Sequence, residues 1–564
     1  MDNLRIFLWV GLGLMLWLSY DAWQRQFPSV PETVPTQAAA GTDTPAADLP
    51  GSRPEVPDLP DLPESPESPA AGATAGDVPV LPSAEPALSK QNVITVRTDV
   101  LELSISLRGG EVVSAKLLDY PFKKDQPDVP VSLLSADPAD LYVVRSGLRA
   151  GGGKPEANHQ ALFAAEASQF KLRDGQEELV VPLTWVGEGG IRVQKNYRFR
   201  PGQYAIALEQ IVFNDGEEPY QAVGYLQIQR IHRPPERSMF DVDSYSFVGP
   251  VLYDGKSYQK LEADDLVKEP VSLPVTSGWI ASIQHHFLAA AVPSTGEVEN
   301  YTATYDGKST FVSVVDSAFT TVQPGQSASF DATLFIGPKL QSQMQEVSDT
   351  LTLTVDYGLL TILAQPLFWL LQKIFSFVGN WGWTIIIVTF LIKLVFYKLT
   401  EKSGRSMAKM RKLAPRLKSV QERYKDDREQ LSRAMMDLYK REKVNPAAGC
   451  WPMLIQIPFF IAFYWVLLES VEMRQAPFML WITDLSVRDP FFVLPLLMGA
   501  AMYFQQKLNP PPPDPMQAKV MQFLPIMFTG MFAFFPAGLV LYWLTNSVLS
   551  MAQQWRINKV VGAD

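Results

Sequence analysis

A lysine stands inside an apolar run: TIIIVTFLIKLVFYKLT, residues 384–400, carries Lys393. In hydrocarbon a cation is costly, so it either snorkels to a surface along its own stem or faces a polar interior. Lys398, five residues on, is about 7.5 Å further along a helix, which keeps the snorkelling route open. Thr389 lies one turn earlier on the same helical face and puts a hydroxyl beside the cation. The later apolar runs carry uncharged polarity: Gln456, Gln505, Gln506, Thr529, Tyr542, Thr545, Asn546 and Ser547. Each alone is ordinary helix-helix adhesion; together with Lys393 they describe a polar interior that attracts without reacting. No histidine or aspartate falls in these runs, and Glu469 at an outer end is their one carboxylate. Proton relays, proton-coupled carriers and intramembrane aspartyl proteases need buried titratable acids, so those classes are excluded. No catalytic residue, cofactor or metal site is expected. His285 and His286 are adjacent; as strand neighbours they would point to opposite faces, one to the core and one to the surface, a poor metal pair.

The polar interior has to be built by several helices. Trp383–Tyr397 is apolar, and four further spans are expected at roughly 447–468, 490–506, 516–535 and 537–554. Some are short: seventeen residues in 490–506 reach roughly 26 Å against a hydrocarbon core of roughly 30 Å, so local bilayer thinning follows. Residues 398–443 hold fifteen Lys or Arg against seven carboxylates, and short loops of that kind stay in the cytoplasm. Met410, Leu413, Leu417, Val420 and Tyr424, then Leu431, Met435 and Leu438, recur at three-four spacing around KDDRE, which predicts a helical hairpin over 401–446 hinged at EKSGRS and at NPAAG. Its basic face, with Arg405, Lys409, Arg411, Lys412, Arg416 and Lys418, fits either a docking surface for a ribosome or membrane protein, or topology retention with contact to anionic lipid heads. With that loop inside, parity forbids the preceding run, 358–378, from spanning. Gln365, Pro366, Gln372 and Lys373 interrupt it, so the region 346–380 is expected as a helix in the outer interface.

Ahead of the membrane part the character changes. Ile6–Tyr20 is an apolar run followed by DAWQRQ without a small-residue cleavage pattern, which favours an uncleaved signal anchor over 1–27 with its N-terminus inside. Residues 28–91 form an acidic, Pro- and Ala-rich tether that cannot bury enough apolar surface to fold. Residues 28–90 hold ten carboxylates against Arg53 and Lys90, so most of the net charge of −10 sits there and says little about partners. Over 92–345, runs such as VITVRT, LELSISL and STFVSVV alternate between RGG, GEGG, NDGEE and YDGK turns, which predicts an antiparallel β-sandwich of a dozen or more strands. The chain of 564 residues has one cysteine, Cys450, so no intrachain disulfide forms. The fold class is a polytopic α-helical membrane protein, a signal anchor plus a five-span core, with a large exported sandwich and a cytoplasmic hairpin.

NWGWTIIIVTFLIK, SMAKMRKLAP, LYKREKVNPAAGCWPMLIQIPFFIAFYWVLLESVEMRQAPF, DPMQAKVMQFLPIMF and FPAGLVLYWLTNSV closely resemble the YidC/Oxa/Alb family of membrane protein insertases in its Gram-negative form. The resemblance covers nearly the whole chain. It implies a groove among the five spans, open to cytoplasm and lipid and closed outside, that receives hydrophilic segments of nascent membrane proteins. It places a groove cation at Lys393, with Thr389, Tyr542 and Trp543 nearby and in the substrate's path; with the polar residues read above, the expected groove also takes in Gln456, Gln506 and Asn546. It implies an inner-membrane protein with both termini in the cytoplasm and the sandwich in the periplasm. The implied partners are nascent membrane proteins, the Sec translocon, membrane lipids and a ribosome, with no direct binding of nucleic acid. Two departures stand out: the family's usual arginine is a lysine here, losing the bidentate fork, and no long basic tail follows Lys559. A rival from another class is a sugar-binding or sugar-modifying sandwich on a membrane anchor.

Overall fold

The computed structural model describes residues 92–233, 246–294, 296–424, 427–442, 451–508 and 515–563. The expected signal anchor, the tether and the NPAAG turn lie outside the described residues.

Alternation becomes a sandwich wherever it was regular. Among the described residues twenty strands form one eleven-stranded and one nine-stranded sheet. The strand Ala205–Asn214 shows why: Ile206, Leu208 and Val212 are buried between the sheets, while Ala207 is exposed and Glu209 and Ile211 are half-buried. It pairs antiparallel with Ile191–Phe199 on one side and Ser327–Pro338 on the other. Period two places one set of side chains on the core face, so register and burial fix each other. The RGG turn needs glycine: Gly109 has φ +75°, and a Cβ there would lie 2.3 Å from the His159 carbonyl oxygen.

The alternation also brings a cation into the sandwich. Lys195 is fully buried, and its Nζ donates to Gly109 O at 2.7 Å, Ser146 O at 2.9 Å and Ser146 Oγ at 3.2 Å. Burial pushes its ammonium down to about 7, against the pull of the Glu111 carboxylate.

His285 and His286 correct the strand expectation. They sit in the turn between the strands Trp279–Ile283 and Phe287–Pro293, and their rings stack at 3.8 Å and 21°. A turn does not alternate faces, so both rings lie together. His285 faces the helical part, with Nε2 3.0 Å from Leu468 O and 3.9 Å from a Glu469 carboxylate oxygen.

Eight longer helices follow: α1 (Thr361–Val378), α2 (Trp381–Val395), α3 (Tyr397–Arg423), α4 (Arg428–Arg441), α5 (Trp451–Glu469), α6 (Val493–Leu508), α7 (Pro515–Phe532) and α8 (Ala537–Ala563). α1 ends at Gly379, whose φ of +66° stops it; the Asn380 side chain then caps α2 by accepting from Trp383 N. Among the described residues α1 is the single helix both long and apolar enough to cross a bilayer unaided; α2 reaches that only together with the start of α3, from which it is bent by 65°. The bend falls at Phe396, whereas EKSGRS is helical. The expected hinge glycine serves packing instead: a Cβ on Gly404 would lie 2.7 Å from Ile557 Cδ1 of α8, and Ala408 closes on the same isoleucine. The hairpin base is therefore docked on α8, not free. α8 is the hub, packing on α2, α3 and α6, while α1 packs on α2 and α5. Sandwich and helices share one apolar core, continuous from Ile94 through Met344, Tyr357 and Leu367 to Tyr542.

Lys195 gives a pH test. Its folded value lies below the roughly 10.4 of an unfolded lysine, so between about pH 7 and 10 the unfolded chain binds more protons and stability rises with pH. Lys195→Met should flatten the rise in thermal midpoint between about pH 7 and 9.5, followed by calorimetry of the full chain.

Candidate functional site: a polar groove under an outer cap

Lys393 lies in the last turn of α2 and is 8% exposed. Its ammonium donates to Ser550 Oγ of α8 at 2.7 Å, and that hydroxyl donates to Asn546 O at 2.7 Å. Asn546 is thus tied to the cation through Ser550, a residue the sequence did not single out although it lies one turn beyond Asn546. Thr389 is buried one turn before Lys393, but its hydroxyl donates to Ile385 O of its own helix at 2.6 Å. Tyr542 is buried in an aromatic stack, its ring 4.5 Å from Phe463 and 6.0 Å from Phe460 of α5. Trp543 meets Phe460 edge-on at 4.6 Å and reaches Phe528 and Phe532 of α7. Gln456 is half-buried on α5, one turn before Phe460. Gln506 is half-buried near the end of α6, and no hydrogen bond among the described residues ties it to Lys393. The structure thus gathers a cationic end around Lys393, Ser550 and Asn546, and an aromatic wall around Tyr542 and Trp543.

Of the basic hairpin side chains, Arg405 pairs with Glu401 at 2.7 Å and Arg416 with Glu442 at 2.6 Å, the latter joining α3 to the end of α4. Lys409, Lys412 and Lys418 are exposed. The side chain of Arg411 lies outside the described residues.

The other end of the bundle is covered by the loop 470–492. Phe478 packs against Gly382 of α2, where a Cβ would come within 2.0 Å of its ring, and Asn380 Nδ2 donates to Phe478 O at 3.0 Å. Asp489 is buried and takes three donors: Trp481 Nε1 at 3.0 Å, Phe491 N at 3.0 Å and Leu494 N at 2.7 Å. It thereby caps α6. Ala537 N and Gly538 N donate to Val487 O and Leu485 O at 2.8 and 2.9 Å, which fastens the start of α8 to the same loop. An aspartate directly before an apolar run is a helix-start signal and made Asp489 findable; the seat of Phe478 on a glycine has no local signature. Across the junction, Arg474 Nη2 and Gln475 Nε2 each donate to Pro121 O of the sandwich at 2.9 Å.

A two-sheet sandwich joined to a helical bundle with an interior cation and one covered end is the arrangement on the page, and the comparisons set it in the class of membrane insertases. Residues 93–370 match the family described as YidC periplasmic domain, and residues 373–563 match that described as 60Kd inner membrane protein. Proteins named membrane protein insertase YidC are similar over the full length. That of Thioalkalivibrio sulfidiphilus is 46% identical, covering 99% of this chain and 98% of its own. That of Nitrosococcus oceani is 44% identical over 100% and 99%, and that of Methylococcus capsulatus 45% over 100% and 99%. A solved YidC insertase with its first transmembrane domain resolved overlays with a TM-score of 0.38 at 16% identity, covering 82% of this chain and 92% of that one. The chain belongs to the YidC family of membrane protein insertases, inner-membrane proteins with a periplasmic domain.

The cap is testable through Gly382. Gly382→Val must displace the Phe478 ring and should open the outer end. In a Cys450→Ser background, a cysteine at Asn546 should then react with an impermeant maleimide added from the periplasmic side several times faster than without Gly382→Val.

Proposed function

We propose that the groove bounded by α2, α5, α6 and α8 receives the hydrophilic segment of a nascent membrane protein from the cytoplasmic side, while the substrate's own apolar span leaves into lipid. The observation that carries this reading is the Lys393–Ser550 bond beneath a sealed outer loop. A fixed cation that donates to a neutral hydroxyl keeps its charge uncompensated, so it attracts a polar or acidic segment and releases it again. In plain lipid such a cation costs about 2.5–3.5 kcal/mol even on the mildest scale; a wet groove lowers that cost. No energy source is needed, because burial of the arriving apolar span drives the step. Tyr542 and Trp543 offer a smooth aromatic wall with polar tips, suited to a sliding chain.

In this reading both termini are cytoplasmic, α1 lies in the outer interface, and five spans after the signal anchor make the core. The protein works alone or beside the Sec translocon. The basic residues of α3 meet anionic lipid heads or a ribosome.

The test is insertion of two matched single-span substrates, one with an acidic translocated tail and one neutral, in cells where this protein is the only copy. Lys393→Arg should insert both at close to the parent rate, since charge is kept. Lys393→Glu should cut insertion of the acidic substrate several-fold more than of the neutral one, as attraction becomes repulsion. Equal insertion of both by Lys393→Glu and Lys393→Leu at the parent rate would show the lysine to be an inner-end anchor only.

A further inference from the structure

Inside the sandwich, away from the groove, two acidic residues stand at directly opposed positions of neighbouring strands. Glu299 and Asp316 are direct cross-strand partners on neighbouring antiparallel strands, Glu299–Tyr305 and Ser309–Asp316, and both line a cavity between the sheets. Like charges directly opposite each other are unfavourable in a sheet. Glu299 is 3% exposed and accepts from Tyr301 Oη at 3.3 Å; Asp316 accepts from Gly224 N at 2.7 Å. Among the described residues no lysine or arginine pairs with Asp316, and the charge acting on it is a further carboxylate, Glu297. Burial and that neighbour push the Asp316 carboxyl up to about 6.

The opposite sheet contributes a third oxygen to the same cavity. Gln210 stands at an inward position of Ala205–Asn214, is 3% exposed, and its Oε1 is buried without a hydrogen-bond partner. A buried amide oxygen left without a donor is costly, so a site that keeps one has a donor or a cation to offer it. The backbone makes room as well: a Cβ on Gly224 would lie 3.0 Å from Asp316 Oδ2 and 3.1 Å from Phe330. The cavity measures about 30 Å³, and one water needs roughly 10–15 Å³ on that measure, so an ion with a water, or one small polar group, fits.

We infer that this cavity is a small-cation site in which Glu299, Asp316 and the Gln210 carbonyl oxygen together hold either a hard metal ion or the ammonium of a small amine. All three groups offer oxygen acceptors, which is the chemistry both cations require. Among the described residues no three His, Cys, Asp or Glu converge into a metal cage. The protein therefore supplies three oxygens, and water or the ligand's own atoms complete the shell. The site lies in the periplasmic domain, is independent of the groove, and goes beyond insertion.

The experiment is calorimetric titration of the full chain in detergent with calcium chloride, magnesium chloride or methylammonium chloride, with tetramethylammonium chloride at equal ionic strength as the control that offers no N–H. Saturable binding in the range of about 0.1–1 mM, as for exported oxygen-liganded sites, is expected in the metal arms or in the methylammonium arm, and which arm saturates identifies the cation. Glu299→Gln and Asp316→Asn keep shape and should weaken it at least tenfold; Gln210→Leu should weaken it as well, and each variant is checked for a parent-like circular dichroism spectrum. A carboxyl pair that merely shares a proton gives no saturable heat in any arm up to about 10 mM, and that result overturns the site. So does binding of equal affinity in the parent and in all three variants, or equal binding of tetramethylammonium.

Discussion

Lipid offers no hydrogen bonds, and that one constraint organises the membrane part. Its hydroxyls obey it in the same way: Thr384, Thr389, Thr529 and Ser550 each donate to the carbonyl four residues earlier in their own helix. Each hydroxyl is satisfied as a donor without leaving its helix, while its oxygen remains free in principle to accept. These hydroxyls are consequently left as acceptors toward the rest of the bundle. Lys393 is the donor that uses one of them, crossing from α2 to α8 through Ser550. A carboxylate in its place would have met a wall of satisfied donors; an ammonium meets an oxygen.

The same economy shapes the loop that covers one end of the bundle. The loop 470–492 has three non-glycine residues at positive φ, Gln475 at 57°, Leu480 at 55° and Phe492 at 57°, a strained course for a connector. Its polar groups are spent on helix starts, Asp489 on α6 and the carbonyls of Leu485 and Val487 on α8. Arg474 and Gln475 then reach the sandwich at Pro121. The outer ends of the helices are therefore held by a domain with its own extensive core, whereas the inner ends run into a bent helical hairpin whose own charges pair locally. The outer ends lean on the sandwich, and the inner ends on the packing of α3 against α8.

Much of this could be read from residue order, and the failures are instructive. The runs beginning VITVR, LELSIS and STFVSVV are strands because period-two burial is a local signal that a sheet amplifies. Turn glycines were equally legible, since positive φ at Gly109, Gly110 and Gly307 admits little else. His285–His286 misled because adjacency was read with strand geometry where the chain turns. Gly404 misled because glycine signals both flexibility and close approach, and only the position of Ile557, more than a hundred residues away, decides between them. Ser550 and the seat of Phe478 on Gly382 are tertiary facts of the same kind. The cation on α2 was visible in the sequence; the oxygen it would find was not.

Helix length completes the physical picture. α2 has fifteen residues and α6 sixteen, about 22 and 24 Å at about 1.5 Å per residue, against roughly 30 Å for an ordinary hydrocarbon core. The chain does not lengthen α2 into α3 but bends by 65° at Phe396, just past Lys393. Continuing straight would have carried Lys398 and the charges after it along the bundle axis, while the bend takes them off it. A short apolar segment ending in a cation and then turning aside is how a helix matches a locally thinned bilayer. Thinning shortens the path a hydrophilic segment must travel, and the groove makes the remaining part polar. In the proposed function the two effects would act on the same barrier, so neither the shortness of the helices nor the charge on Lys393 would need to be extreme.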